Sequence, residues 1–134
     1  MNTLSHTAQK KFDRWNAEKK KIHDRSSAPF AYPREMWWCS FGANVGAEID
    51  GKNDNFERPA LIVRVYNKDT MLVLPITSRS KNDTFHVAVQ VPVGTVWVVL
   101  TQARVISSKR LLRKLGVLPA DVFDQVTKRV RGYT

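Results

Sequence analysis

Arg58-Pro59-Ala60-Leu61-Ile62-Val63-Arg64-Val65-Tyr66-Asn67-Lys68-Asp69-Thr70-Met71-Leu72-Val73-Leu74-Pro75-Ile76-Thr77-Ser78 is the stretch that decides the fold. Ala60 to Tyr66 and Met71 to Leu74 are runs of Val, Ile, Leu and Met, the composition of strands. Asn67-Lys68-Asp69 between them is a hairpin signal. Pro59 has no ladder donor and is read as opening the first strand, and Pro75 as closing the second. Arg58 then stands at a strand mouth. Positions 58 and 77 are nearly equidistant from the turn, so Thr77 and Ser78 project from the same end. An arginine opposite two hydroxyls is a small anion-binding set.

Outward from this hairpin the short β segments continue. Phe85 to Val91 and Thr95 to Leu100 form a second pair about Val93-Gly94, Met36 to Phe41 is bulky and strand-like, and Ala103 to Ile106 reads as a sixth, short strand. A Gly/Asn/Asp-rich loop runs from Gly42 to Asn55. Residues 107–116 fit either a helical turn or an edge strand. Pro119, the apolar Val122, Phe123, Val126 and Val130, and then Gly132 describe a terminal amphipathic helix. So many short strands in about 100 residues imply a small barrel or compact sheet. Upstream, Leu4, Ala8, Phe12, Trp15 and Ile22 make one helical stripe, ended by Ser26-Ser27-Ala28-Pro29. The chain thus divides into a basic helical extension and linker, residues 1–33, with a helix of about 18 residues, and a mainly β domain, residues 34–134.

The 134 residues are 43% apolar, enough for one domain with its own core. The longest mostly apolar stretch, Val91 to Leu100, contains a Pro and a Gly and is half the length of about 20 that a membrane span needs. No signal-type block precedes the domain, so a cytoplasmic protein away from membranes is expected. One cysteine, Cys39, excludes an internal disulfide. The three histidines never pair at ligand spacing, so no metal is expected. With 22 Lys+Arg against 12 Asp+Glu, the net charge of +10 favours a polyanionic partner.

Met36-Trp-Trp-Cys-Ser-Phe41, Gly46-Ala-Glu48, Arg58-Pro-Ala-Leu-Ile-Val63, Pro75-Ile-Thr-Ser78 and Leu100-Thr-Gln-Ala-Arg104 occur in the order and spacing of one family. Over residues 34–132 the chain resembles the MazF/PemK toxins of toxin–antitoxin pairs. The resemblance implies an SH3-like barrel, a homodimer, a cognate acidic antitoxin and no cofactor. It also implies an endoribonuclease that cuts single-stranded RNA to a 2′,3′-cyclic phosphate and a 5′-hydroxyl. On that reading Arg58 neutralises the reacting phosphate, Thr77 and Ser78 hydrogen-bond it, and Glu48 positions Arg58 or accepts a proton. Gln102, Arg104, Lys109, Arg110, Arg113 and Trp37 are the RNA-binding candidates. They combine the family's Gln, a run of five cations without an acid from Arg104 to Lys114, and one ring of the Trp37-Trp38 pair.

Several family members carry an acid where this chain has Thr101, which cannot be a base at neutral pH. An imidazole with its ordinary pKa of about 6.5 would suit that task, and His86 is available, although it lies in an alternating strand where an exposed histidine is ordinary. Two other readings stand beside this one. A gyrase-poisoning toxin of the CcdB type shares the barrel, although a Trp-containing terminus is wanted there and the chain ends Arg131-Gly132-Tyr133-Thr134. A catalytically inactive RNA-binding barrel is the other.

Overall fold

The computed structural model describes residues 11–53 and 56–132. Helix α1 (Phe12–His23) is followed by strands β1 (Glu35–Ser40), β2 (Glu57–Val65), β3 (Thr70–Thr77), β4 (His86–Val91), β5 (Gly94–Val99) and β6 (Arg104–Ser107). A single 3-10 turn (Ser108–Arg110), β7 (Leu111–Val117) and helix α2 (Ala120–Gly132) complete the chain. Residues 107–116 are therefore a helical turn and a strand in succession. Leu4 and Ala8 of the amino-terminal stripe, and Tyr133 and Thr134, lie outside the described residues. Helix α1 is 12 residues long and starts after its N-cap residue, Lys11.

All pairings are antiparallel, in the order β4-β5-β3-β2-β1-β7, with β6 on β3. The result is a curled half-barrel. The β2–β3 hairpin has the register Ala60↔Pro75, Leu61↔Leu74 and Ile62↔Val73, and its turn is locked by Asn67, whose Oδ1 accepts the Asp69 and Thr70 N–H groups at 2.8 and 2.9 Å. Both prolines sit inside strands rather than at their ends. The far edge of β3 is shared, Thr70 to Val73 pairing with β6 and Ile76 and Thr77 with β5. Pro75 falls in the gap between them, where a missing N–H breaks no ladder.

Alternation sends side chains to two cores. Leu61, Leu74, Ile76, Val98 and Met36 face α2, whose Val126 is fully buried among them. Trp37, Cys39, Ala60, Ile62, Val73 and Leu111 fill the other face. Burial pushes the Cys39 thiol up to about 12, so it is a protonated apolar filler. A third cluster joins Trp15 and Ile22 of α1 to Phe56 in the β1–β2 loop. Phe12 is exposed, so the buried part of the described stripe is Trp15 and Ile22. Gly42, with φ of +88°, lies under the Trp15 ring, where a Cβ would come within 2.2 Å of it.

Candidate functional site

Arg58 is the second residue of β2, paired with Cys39 of β1, at the end of the hairpin remote from the turn. Its Nε donates to the Asp50 carbonyl at 2.6 Å and its Nη1 to the Ile76 carbonyl at 3.2 Å. The long β1–β2 loop reaches Arg58 because it folds back on itself. The Phe41 and Gly42 N–H groups donate to the Phe56 carbonyl, Gly51 N–H donates to the Gly42 carbonyl, and Lys52 bridges to Glu57. A side chain at Gly51 would collide with the Phe56 carbonyl at 1.5 Å, so the reversal requires glycine there.

Arg58 is half-buried. Burial pulls its guanidinium below the ordinary arginine value, the Asp50 carboxylate opposes this, and Arg79 adds to it. It lines an open depression of about 590 Å³ with Asp50, Lys52, Thr77, Arg79, Lys81, His86, Thr101 and Gln102. Thr77 is buried at the end of β3, and its Oγ1 accepts the Arg79 N–H at 3.2 Å. Ser78, one residue on, is exposed and does not line this depression. Sequence reasoning missed Asp50, Lys52, Arg79 and Lys81. Arg79 and Lys81 carried the same signal that selected Thr77, a polar residue in the loop leaving a strand.

Glu48 does not touch Arg58. It is exposed, accepts the Val45 N–H at 2.9 Å, and exerts its charge on Arg104 across an adjoining depression of about 560 Å³. The loop reversal places Asp50, not Glu48, beside Arg58. Gln102 stands between the two depressions: its Oε1 accepts the Ile49 N–H at 2.7 Å and its Nε2 donates to the Ala47 carbonyl at 3.4 Å, pinning the loop. Arg104 donates to the Phe41 carbonyl at 3.4 Å and lies over that ring.

The run from Arg104 to Lys114 is not a continuous basic surface. Lys109 Nζ donates to the His23 carbonyl at 2.7 Å and its own carbonyl accepts Arg25 Nη1, so it clamps α1. Arg110 donates to the Ser40 carbonyl at 3.1 Å and lies beneath the Trp15 ring. Arg113 makes a forked pair with Glu57 at 2.9 and 3.1 Å, over the Trp38 ring, and this raises its pKa. Trp37 is buried and its Nε1 donates to Glu35 at 3.0 Å. The ring of the pair that reaches the surface is Trp38, which removes the stacking expectation from Trp37.

Among the described residues no group of His, Cys, Asp and Glu is placed to hold a metal ion, and no helix is long and apolar enough to cross a membrane. A search of curated proteins gave no match. The structure is similar to that of MazF from Deinococcus radiodurans, with a TM-score of 0.64 and 28% identity over 81% of this chain and 97% of that one. It is also similar to a MazE–MazF structure from the same organism, at 0.59 and 25%, over 81% and 96% of the two chains. A mycobacterial endoribonuclease in complex with its cognate antitoxin shares the fold, at 0.56 and 14%, over 78% and 93%. The family model for the PemK-like, MazF-like toxin of type II toxin–antitoxin systems matches residues 32–133. On this match, and with this half-barrel, the chain belongs to the MazF/PemK family of toxins.

Proposed function

We propose that this toxin is a cytoplasmic endoribonuclease that cleaves single-stranded RNA by transesterification, without metal or cofactor, leaving 2′,3′-cyclic phosphate and 5′-hydroxyl ends. The observation that carries the reading is the setting of Arg58. Two backbone carbonyls fix its guanidinium inside a depression that also holds Thr77 and three further cations. Two of the five N–H groups of an arginine are spent on that anchoring, and its outer edge faces the task of meeting phosphate oxygens. RNA supplies its own nucleophile, the ribose 2′-hydroxyl. The protein has to hold the phosphate in line and neutralise the charge that grows on its oxygens. Thr77, whose Oγ1 already accepts the Arg79 N–H, keeps its O–H to donate to one of those oxygens. Gln102 and Arg104, at the adjoining depression, suit the flanking nucleotide.

The family and the net charge of +10 support an acidic antitoxin that wraps the depression's mouth, and a homodimer as the working form. The decisive experiment incubates the purified protein with a defined RNA and the matching DNA in EDTA and maps the ends. Cleavage of RNA alone, with cyclic phosphate ends, is expected. Activity that disappears on chelation and returns with a divalent ion, or that also cuts DNA, would overturn the mechanism.

A further inference from the structure

The transesterification leaves one requirement unassigned. The departing 5′-oxygen is an alkoxide unless a proton reaches it, and neither Arg58 nor Thr77 is suited to supply one. Arginine stays protonated in proteins, and a hydroxyl is too weak an acid at neutral pH. The same depression holds one imidazole, His86. Its side chain is 15% exposed, and its Nδ1 lies 2.6 Å from Oδ1 of Asp83.

This pair is built rather than casual. The Asp83 Oδ1 also accepts the Phe85 N–H at 2.9 Å, so the carboxylate is fixed in a local turn. The Phe85 carbonyl accepts the Leu100 N–H at 2.9 Å, and His86 is the first residue of β4, in register with Val99 of β5. Arg129 of α2 donates to the Thr84 carbonyl, so the three residues preceding His86 are all tied down. A carboxylate on Nδ1 sets the tautomer, leaves Nε2 as the working nitrogen and stabilises the imidazolium. Asp83 is held below the ordinary aspartate value chiefly by its bond to His86, so it is a carboxylate at neutral pH. The other proton carriers at the depression, Lys52 and Lys81, are ammonium groups, and as a class these are weaker acids than an imidazolium.

We propose that His86, oriented by Asp83, is the general acid of the reaction and protonates the 5′-oxygen leaving group from Nε2. The 2′-oxygen forms a bond to phosphorus as the bond from phosphorus to the 5′-oxygen breaks. The Nε2 proton passes to the 5′-oxygen, the 2′-hydroxyl proton passes to water, and the imidazole then regains a proton from water. Protons balance over the cycle. Asp83 acts through His86 and is a positioning residue. This assignment rests on the ribonuclease reading above.

The test separates an acid from a structural role by changing the leaving group. A short RNA spanning a mapped cleavage site is made with the ordinary 5′-oxygen and with a bridging 5′-sulfur, which departs as a thiolate without needing a proton. Single-turnover rates are measured for the wild type, His86→Ala, His86→Gln, Asp83→Asn and Arg58→Ala, with circular dichroism confirming that each is folded. On the oxygen substrate both His86 variants should be slower by about a hundredfold or more, and Asp83→Asn by about tenfold. On the sulfur substrate the His86 variants should recover to within about tenfold of the wild type. Arg58→Ala, which loses charge stabilisation, should stay slow on both. Equal losses of the His86 variants on the two substrates, or no loss, overturn the acid assignment and leave the ribonuclease intact. A wild-type protein that cleaves neither substrate overturns the ribonuclease reading, and the assignment falls with it.

Discussion

Arg58 and Glu35 show how differently two charged side chains can be used on adjacent strands, β2 and β1. Arg58 is anchored by backbone carbonyls on one side and faces the depression on the other. Arg58→Ala should lower the single-turnover rate by about a hundred- to a thousandfold, the usual loss for one donor aimed at developing charge. RNA affinity should fall far less, because the interaction strengthens in the transition state. A variant cleaving at the wild-type rate would remove Arg58 from the chemistry. Glu35, by contrast, is a buried hub. It accepts the Tyr32 N–H at 2.8 Å and Trp37 Nε1 at 3.0 Å and pairs with Lys114 at 2.8 Å. Burial taken alone would raise its pKa and is the largest single influence, but the bonds from Lys114, Trp37 and Tyr32 together outweigh it and hold the carboxyl below 4.5. A depressed native value gives stability that is present above the unfolded value and lost as pH falls toward the native one. Glu35→Gln should therefore cost about 1–3 kcal/mol at neutral pH, read by urea unfolding. The gap to wild type should narrow below pH 4.5, and a gap that widens there would refute the sign.

At the scale of elements, α1 is a brace for the loop that aims Arg58. Trp15 packs on Gly42 and at 5.4 Å from the Phe56 ring, and Phe56 closes the loop whose Asp50 carbonyl holds Arg58. Trp15→Ala should raise hydrogen exchange in α1 and in residues 42–53 while β2 and β3 stay protected, since their cores are elsewhere. It should also slow single-turnover cleavage by about ten- to a hundredfold, with Trp15→Phe largely restoring it. An unchanged rate alongside raised exchange would show that the loop keeps its shape unaided. This chain of contacts also explains what could be read in advance. The β2–β3 hairpin was legible because its signals are local: continuous runs of Val, Ile, Leu and Met, an Asn at the turn, and Arg58 and Thr77 nearly equidistant from it. The carboxylate beside Arg58 was not. The choice of Asp50 over Glu48 depends on the loop reversal through Gly51 and Phe56, which no local pattern records. The partners of Arg110 and Arg113 were hidden for the same reason, lying 70 and 56 positions away in sequence.

Across the whole molecule, a net charge of +10 is distributed very unevenly in function. Lys109 and Arg110 are spent on docking α1, and Arg113 and Lys114 are compensated by Glu57 and Glu35. Arg79 and Lys81, exposed on the loop after β3, line the depression itself. If RNA is tracked through that depression, these two should carry a large part of the salt dependence of binding, beside Lys52. Each phosphate contact to a single strand contributes about 0.7 to the slope of log affinity against log salt. Arg79→Ala and Lys81→Ala should each flatten the slope by roughly that amount, and together by about twice it. Arg113→Ala should leave the slope nearly unchanged, because the charge it removes is already neutralised by a forked carboxylate. The measurement is RNA affinity across a salt series for these four variants and their reference, all made on an Arg58→Ala background so that little substrate is consumed. A slope carried by Arg113 and untouched by Arg79 and Lys81 would move the RNA path off the depression and onto the β1–β7 edge of the sheet.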